Sequence, residues 1–150
     1  MQHKAPAKDA PMPRPALDCW LYASDCILPQ PWTPKAVEDI VATSVRRNAG
    51  LAVTGALLFT GARFVQFLEG PATGIAAIRH SIMADTRHRN VQTIMDGPHH
   101  RRDFESWSLA YNGPSLFVAD RVDALLGGHR DDTEAIISLL REFTLPPVAP

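Results

Sequence analysis

Three uncharged side chains, Tyr22, Asn48 and Gln66, stand out for the chemistry they offer. Gln66 lies between Val65 and Phe67 in RFVQFLEGP, residues 63 to 71, an apolar stretch of strand character that runs into a turn. Its amide carries two donors and two acceptor sites, and leaving it buried and unpaired costs roughly 1 to 3 kcal/mol. Something must satisfy that amide or use it. A phenol is a suitable partner, because one oxygen both donates and accepts, and the chemistry such groups support is hydrogen-bond exchange without a change of charge.

Whether these groups meet depends on the elements that carry them. LDCWLYAS, residues 17 to 24, is β-prone, and Pro29, Pro31 and Pro34 then interrupt regular structure. Thr33 is placed to cap a helix with Pro34 at its first position, and Val37, Ile40, Val41 and Val45 recur at helical spacing up to Gly50. LAVTGALLFT and RFVQFLEG, joined at Gly61-Ala62, read as a β-hairpin. Thr73 is placed to cap a second helix carrying Ile75, Ile78 and Ile82, which ends before the polar run DTRHRN. VQTIM and SWSLAY, either side of the loop DGPHHRRDF, supply two more strands.

The order βαββαββ predicts an α+β fold of ferredoxin-like plan, with two helices on one face of the sheet and one added strand. Strand side chains alternate, so Trp20, Tyr22 and Ser24 share one side of the first strand, and Phe64, Gln66 and Leu68 one side of the third. This plan makes those strands neighbours, which brings Tyr22 and Gln66 within reach if both face the helices. Asn48, at the end of the first helix, points a third polar group at the same space. LAVTGALLF is apolar almost throughout, which implies a cover on the second face as well. Phe117, Val118, Leu125 and Leu126, then Ile136, Leu139, Leu140 and Phe143, form two amphipathic helices around Gly127-Gly128 that supply that cover.

A chain of 150 residues suits one domain with one core. With 15 basic against 16 acidic residues, no net field favours nucleic acid or an anionic membrane, and no stretch has the apolar length of a spanning helix. The first sixteen residues, with four prolines, read as a flexible tail rather than a targeting peptide. Cys19 and Cys26 match neither a disulfide framework nor zinc spacing and fit a reducing cytoplasm. His99 and His100 point to opposite faces if extended, with no carboxylate or thiol at convincing spacing, so no metal site is expected there. Gly70 and Gly74 do not compose a phosphate-binding loop.

The segments LDCWLYAS, RRNAG, VTGALLF, RFVQFLEGP, DTRH and RDFESWSL resemble, in order and separation, those of the BLUF family of blue-light sensors that use a flavin. The resemblance implies a flavin-binding domain over residues 17 to 112, with residues 113 to 150 as a C-terminal helical cap or output segment. It implies Tyr22 as the photoactive tyrosine, Gln66 as the switching glutamine and Asn48 as the asparagine that holds the flavin ring. Ser24, Arg47, Phe64, Asp85, Arg87 and His88 join Tyr22, Asn48 and Gln66 as flavin-binding residues on the same basis. Trp107 and Leu109 occupy the signal-relay positions; the family commonly has methionine where this chain has Leu109, which removes a sulfur contact and a weak acceptor.

The function implied is a photoreceptor rather than an enzyme. Tyr22 lends an electron and a proton to the excited flavin and recovers both, leaving the Gln66 amide reoriented or in another tautomer. The expected cofactor is FAD, with FMN as the alternative flavin. The expected output is contact with a downstream protein or a change in a homo-oligomer, without nucleic acid or membrane. Two other readings remain at the level of the sequence: an acylphosphatase-like enzyme, in which Arg47 and Asn48 bind phosphate, and a ligand-free interaction module whose sheet is a dimer surface.

Overall fold

The computed structural model describes residues 16–27, 34–105, 110–112, 116–127 and 133–144. β1 (Leu17–Cys26) leads to α1 (Pro34–Gly50), the hairpin β2 (Thr54–Phe59) and β3 (Arg63–Pro71), α2 (Ala72–Ala84), β4 (His88–His99), β5 (Ala110–Asn112), α3 (Leu116–Gly127) and α4 (Thr133–Thr144). The sheet runs β4-β1-β3-β2-β5, the ferredoxin-like order with β5 added beside β2. β1 pairs antiparallel with β3 and β4, β2 antiparallel with β3, and β5 lies parallel to β2.

Each face of the sheet has its own core. Trp20, Tyr22, Leu57, Phe59, Phe64 and Leu68 pack against Val37 of α1 and Ile75, Ile78 and Ile82 of α2. Leu21, Ala23, Ala56, Leu58, Val65 and Phe67 pack instead against Val122 of α3 and Ile136, Leu139 and Leu140 of α4. The unbroken apolar character of β2 follows from this double burial, since alternate residues serve opposite cores. Phe117, Val118, Phe143, Thr33, Gly128, Trp107 and Leu109 lie outside the residues whose side chains are described.

Several boundaries differ from the sequence reading, among them the start of β4, which lies at His88 inside the expected polar run rather than at Val91. Thr73 does not cap α2: the helix begins at Ala72, and Pro71, at φ −57° and ψ 143°, sets the entry without a side-chain cap. β4 does not stop at Met95 but continues to His99, through part of the expected loop. It pairs there with Trp20 through Leu17 of the long β1, Gly97 takes φ +111°, and Pro98 is tolerated because β4 is an edge strand. β2 begins only at Thr54, because Leu51 and Ala52 form a turn with Ala52 at φ +56°.

That turn fixes the end of α1. The Asn48 carbonyl accepts from the backbone N–H groups of Leu51 and Val53 at 3.1 and 2.9 Å. Gly70 and Gly74 let β3 and α2 approach the same turn: a Cβ at Gly70 would lie 2.9 Å from the Ala52 carbonyl oxygen, and one at Gly74 2.9 Å from that of Leu51. Among the described residues, no helix is long and apolar enough to cross a membrane.

Candidate functional site

Tyr22 and Gln66 are direct partners in the β1/β3 register, and both side chains point to the α1/α2 face. The Tyr22 hydroxyl donates to Gln66 Oε1 at 2.6 Å. Both residues are 3% exposed, so water does not compete for this bond. Burial, followed by the nearby Asp85 charge, pushes the Tyr22 phenol above its ordinary range, against a smaller opposing effect of Arg47. The phenol therefore stays protonated and remains a donor.

The opposite end of the Gln66 amide, Nε2, is buried without a hydrogen-bond partner. Fully buried Asn48 leaves both Oδ1 and Nδ2 unpaired, and Arg47 leaves Nε unpaired. Native structures rarely leave such atoms unsatisfied, and two of the three residues, Gln66 and Arg47, line one cleft, where the polar edge of a ligand would satisfy them. Between α1, α2 and the sheet runs a cleft that opens to solvent. Leu57, Phe64, Ile40 and Ile82 give it apolar walls, while Tyr22, Ser44, Arg47, Gln66, Ser81, Asp85, Arg87 and His88 supply polar groups.

Seven residues expected at the site line this cleft: Tyr22, Arg47, Phe64, Gln66, Asp85, Arg87 and His88. Asn48 lies one helical turn beyond the lining residue Ser44 and is buried behind the wall. Ser24 is not a lining residue of the cleft; its hydroxyl meets His88 Nδ1 at 2.7 Å. His88 Nε2 lies 2.7 Å from the Ile82 carbonyl oxygen. A carbonyl can only accept, so Nε2 donates to it, and Nδ1 is engaged by the Ser24 hydroxyl. Both ring nitrogens are thus used inside the protein, and His88 presents the cleft with a ring rather than a free donor.

Asp85 and Arg87 form a two-pronged pair, with Arg87 Nε and Nη2 donating to the carboxylate at 2.9 and 2.6 Å. The Arg87 hydrogen bond is the main cause holding the Asp85 carboxyl below its usual range. Desolvation is the main cause lowering the Arg47 guanidinium. Ile40, Thr43, Ser44, Leu57, Ser81 and Ile82 complete the lining beyond the expected residues. Their signal was available: positions 40, 43, 44 and 47 recur at helical spacing on α1, and Leu57 is the β2 residue paired with Gln66.

A second polar group lies across the sheet at His99, for which sequence spacing offered no carboxylate partner. Glu69 is fully buried and accepts the backbone N–H groups of Asp103 and Phe104 at 2.7 and 2.8 Å. His99 Nε2 sits 2.9 Å from Glu69 Oε1 and 3.2 Å from Asp103 Oδ2, and Asp103 Oδ1 accepts from Arg141 of α4 at 2.7 Å. Two carboxylates therefore do converge on His99, a meeting made by β3 and the segment after β4 rather than by sequence spacing. With backbone donors and Arg141 already engaged, the cluster is a tether between β3, residues 103–104 and α4.

The family model for BLUF, described as sensors of blue-light using FAD, matches residues 17–110. The chain is similar to the blue light- and temperature-regulated antirepressor BluF of Escherichia coli (strain K12), 41% identical over 61 residues, which are 41% of this chain and 15% of that protein. It is 36% identical over 81 residues to the photoactivated adenylate cyclase subunit beta of Euglena longa, covering 53% of this chain and 9% of that protein. The chain thus spans only a small part of the length of these curated relatives. The dark-state structure of BlrB, a BLUF protein, superposes with a TM-score of 0.72 at 26% identity, covering 85% of this chain and 96% of that one.

A flavin ring has two large apolar faces and an edge of alternating carbonyl and N–H groups. The cleft meets both demands, with apolar walls at Leu57 and Phe64 and unpaired polar atoms on the lining residues Gln66 and Arg47, while Asn48 stands unpaired behind the wall. From the match over residues 17–110 and the Tyr22–Gln66 pair within it, the chain belongs to the BLUF family of flavin-binding blue-light sensors.

Proposed function

We propose that residues 17 to 112 form the sensor domain, that its flavin is FAD, and that light acts by reversing the hydrogen-bond offer of Gln66. The flavin supplies visible absorption and an excited state that takes an electron. Tyr22 gives an electron and its hydroxyl proton and takes both back. Gln66 passes through this exchange and is left with its amide turned or tautomerised. Asn48 and Arg47, through their unpaired nitrogens and oxygen, would hold the polar edge of the flavin, Phe64 would give it an apolar wall, Asp85 and Arg87 would offer charge to its polar groups, and Ser24 fixes His88.

The observation that carries this reading is the asymmetry of the Gln66 amide, whose Oε1 is bonded to Tyr22 while its Nε2 is buried and unpaired. A half-turn exchanges the two ends without moving charge, which glutamate cannot do. One such bond is worth only about 1 kcal/mol net, roughly a fivefold bias at equilibrium. The light-driven state is accordingly a metastable one, and its lifetime sets the signal.

The output route runs through the sheet. Leu57 is paired with Gln66 on one side and with Tyr111 of β5 on the other, and α4 packs against β2 and β5. We assign Trp107 and Leu109, just before β5, to this relay and residues 113 to 150 to the output, which acts by contact with a downstream protein or a second copy rather than by catalysis. The free thiols Cys19 and Cys26 support a cytoplasmic site of action.

The test is a visible spectrum of purified protein before and after blue illumination and through dark recovery, with the released flavin identified by mass. A reversible red shift and FAD are expected. Light-dependent change in oligomer size or in a co-purifying partner is expected with it; the absence of both would sink the signalling half of the proposal.

A further inference from the structure

The Trp20 indole lies against the Tyr22 phenol, with ring centroids 4.4 Å apart and planes 25° apart. The two residues share a face of β1, and Trp20 is fully buried. The indole Nε1–H donates to Thr93 Oγ1 at 2.9 Å, and the Arg79 guanidinium lies over the indole ring, 4.7 Å from its centroid. Arg79 is fixed in turn, donating to Asp96 Oδ2 at 3.0 Å and to Thr93 Oγ1 at 3.2 Å. Trp20, Arg79, Thr93 and Asp96 do not line the cleft, whereas Tyr22 does.

An indole in contact with a phenol is a redox neighbour as well as a packing one. Once Tyr22 has released an electron and a proton, one electron passing from Trp20 would reduce the phenoxyl radical to phenolate and leave an indole radical cation. That transfer would move the vacancy away from Gln66 and spoil the return on which the switch depends. The surroundings oppose each product. The new cation would lie beneath a guanidinium of like charge. It could not be relieved by loss of the Nε1 proton, because Thr93 offers a hydroxyl rather than a base, and that oxygen already accepts from Arg79. The phenolate would form in a buried site that disfavours it.

We propose that Arg79 is a positioning residue that keeps Trp20 from acting as a second electron donor, so that Trp20 braces the Tyr22 ring without entering its chemistry. This rests on the reading of Tyr22 as the light-driven donor. The Arg79 side chain is 39% exposed, so its substitution leaves the core in place.

The test compares flavin-loaded wild type, Arg79→Gln, Arg79→Lys and the double variant Trp20→Phe/Arg79→Gln after a blue flash. Arg79→Gln should show a transient indole radical and a yield of the red-shifted form lowered about fivefold. Arg79→Lys, which keeps the charge, and the double variant, which removes the indole, should both recover the yield. In the dark, one-electron oxidation by azide radical from pulse radiolysis should leave more of the vacancy on indole in Arg79→Gln than in wild type. Wild-type yield without an indole radical in Arg79→Gln, or equal dark partition in the two proteins, would overturn the proposal. A wild type with bound flavin and no red shift would instead overturn the role of Tyr22, and the dark comparison would still decide whether Arg79 guards Trp20.

Discussion

Gln66 accepts the Tyr22 hydroxyl proton through Oε1 at 2.6 Å while its Nε2, at the opposite end of the same amide, is buried with nothing to bond. The phenol thus selects which end of the amide faces the cleft. Tyr22→Phe removes that selection and leaves Oε1 buried and unpaired, so the protein should lose about 1 to 3 kcal/mol of stability. Thermal melting should show the loss, flavin should still bind, and blue light should no longer produce the red-shifted form.

Asn48 has two unpaired buried atoms, which cost stability when no ligand is present. Asn48→Ala should leave the flavin-free chain as stable as wild type or more so, yet weaken flavin binding about tenfold or more. Melting of the flavin-free protein and a flavin titration separate the two effects. A parallel fall in both would mark Asn48 as a structural residue.

The raised Tyr22 phenol has a definite pH consequence. A group whose folded value lies above its unfolded one contributes stability that is present below the unfolded value, about 10 for tyrosine, and is lost as pH rises through the folded value. In a Tyr111→Phe background, ultraviolet titration should therefore show no tyrosinate at pH about 10. Ionisation should come only at higher pH, together with unfolding, and the light response should not fade with a pKa near 10.

Glu69 lies on the opposite face of β3 from Gln66 and holds the Asp103 and Phe104 N–H groups. Glu69→Ala should cost about 3 kcal/mol, read as a fall of several degrees in Tm, because two donors lose their acceptor. The size of the red shift should be unchanged, since no cleft group is touched. A changed shift would show that the two faces are coupled through β3.

The parts of this molecule legible in the sequence are those governed by local period. Alternation in LDCWLYAS and RFVQFLEGP placed Tyr22 and Gln66 on one face, and helical spacing from Val37 to Val45 gave α1. What the sequence hid depends on contacts between distant segments. The extension of β4 through Gly97 and Pro98 comes from pairing with β1, and Pro98 alone argues for a loop. The His88–Ser24 bond and the Glu69–His99–Asp103 cluster need strands brought side by side before their partners exist. The unpaired state of Asn48 and of Gln66 Nε2 likewise has no sequence signature, since it is a property of what the fold leaves unfilled.

The most direct measurement is the light-minus-dark visible spectrum of flavin-loaded wild type beside Gln66→Leu. Wild type should shift to the red under blue light and relax in darkness, while Gln66→Leu should keep its flavin and show no shift. A full, reversible shift in Gln66→Leu would contradict the assignment of the switch to this amide.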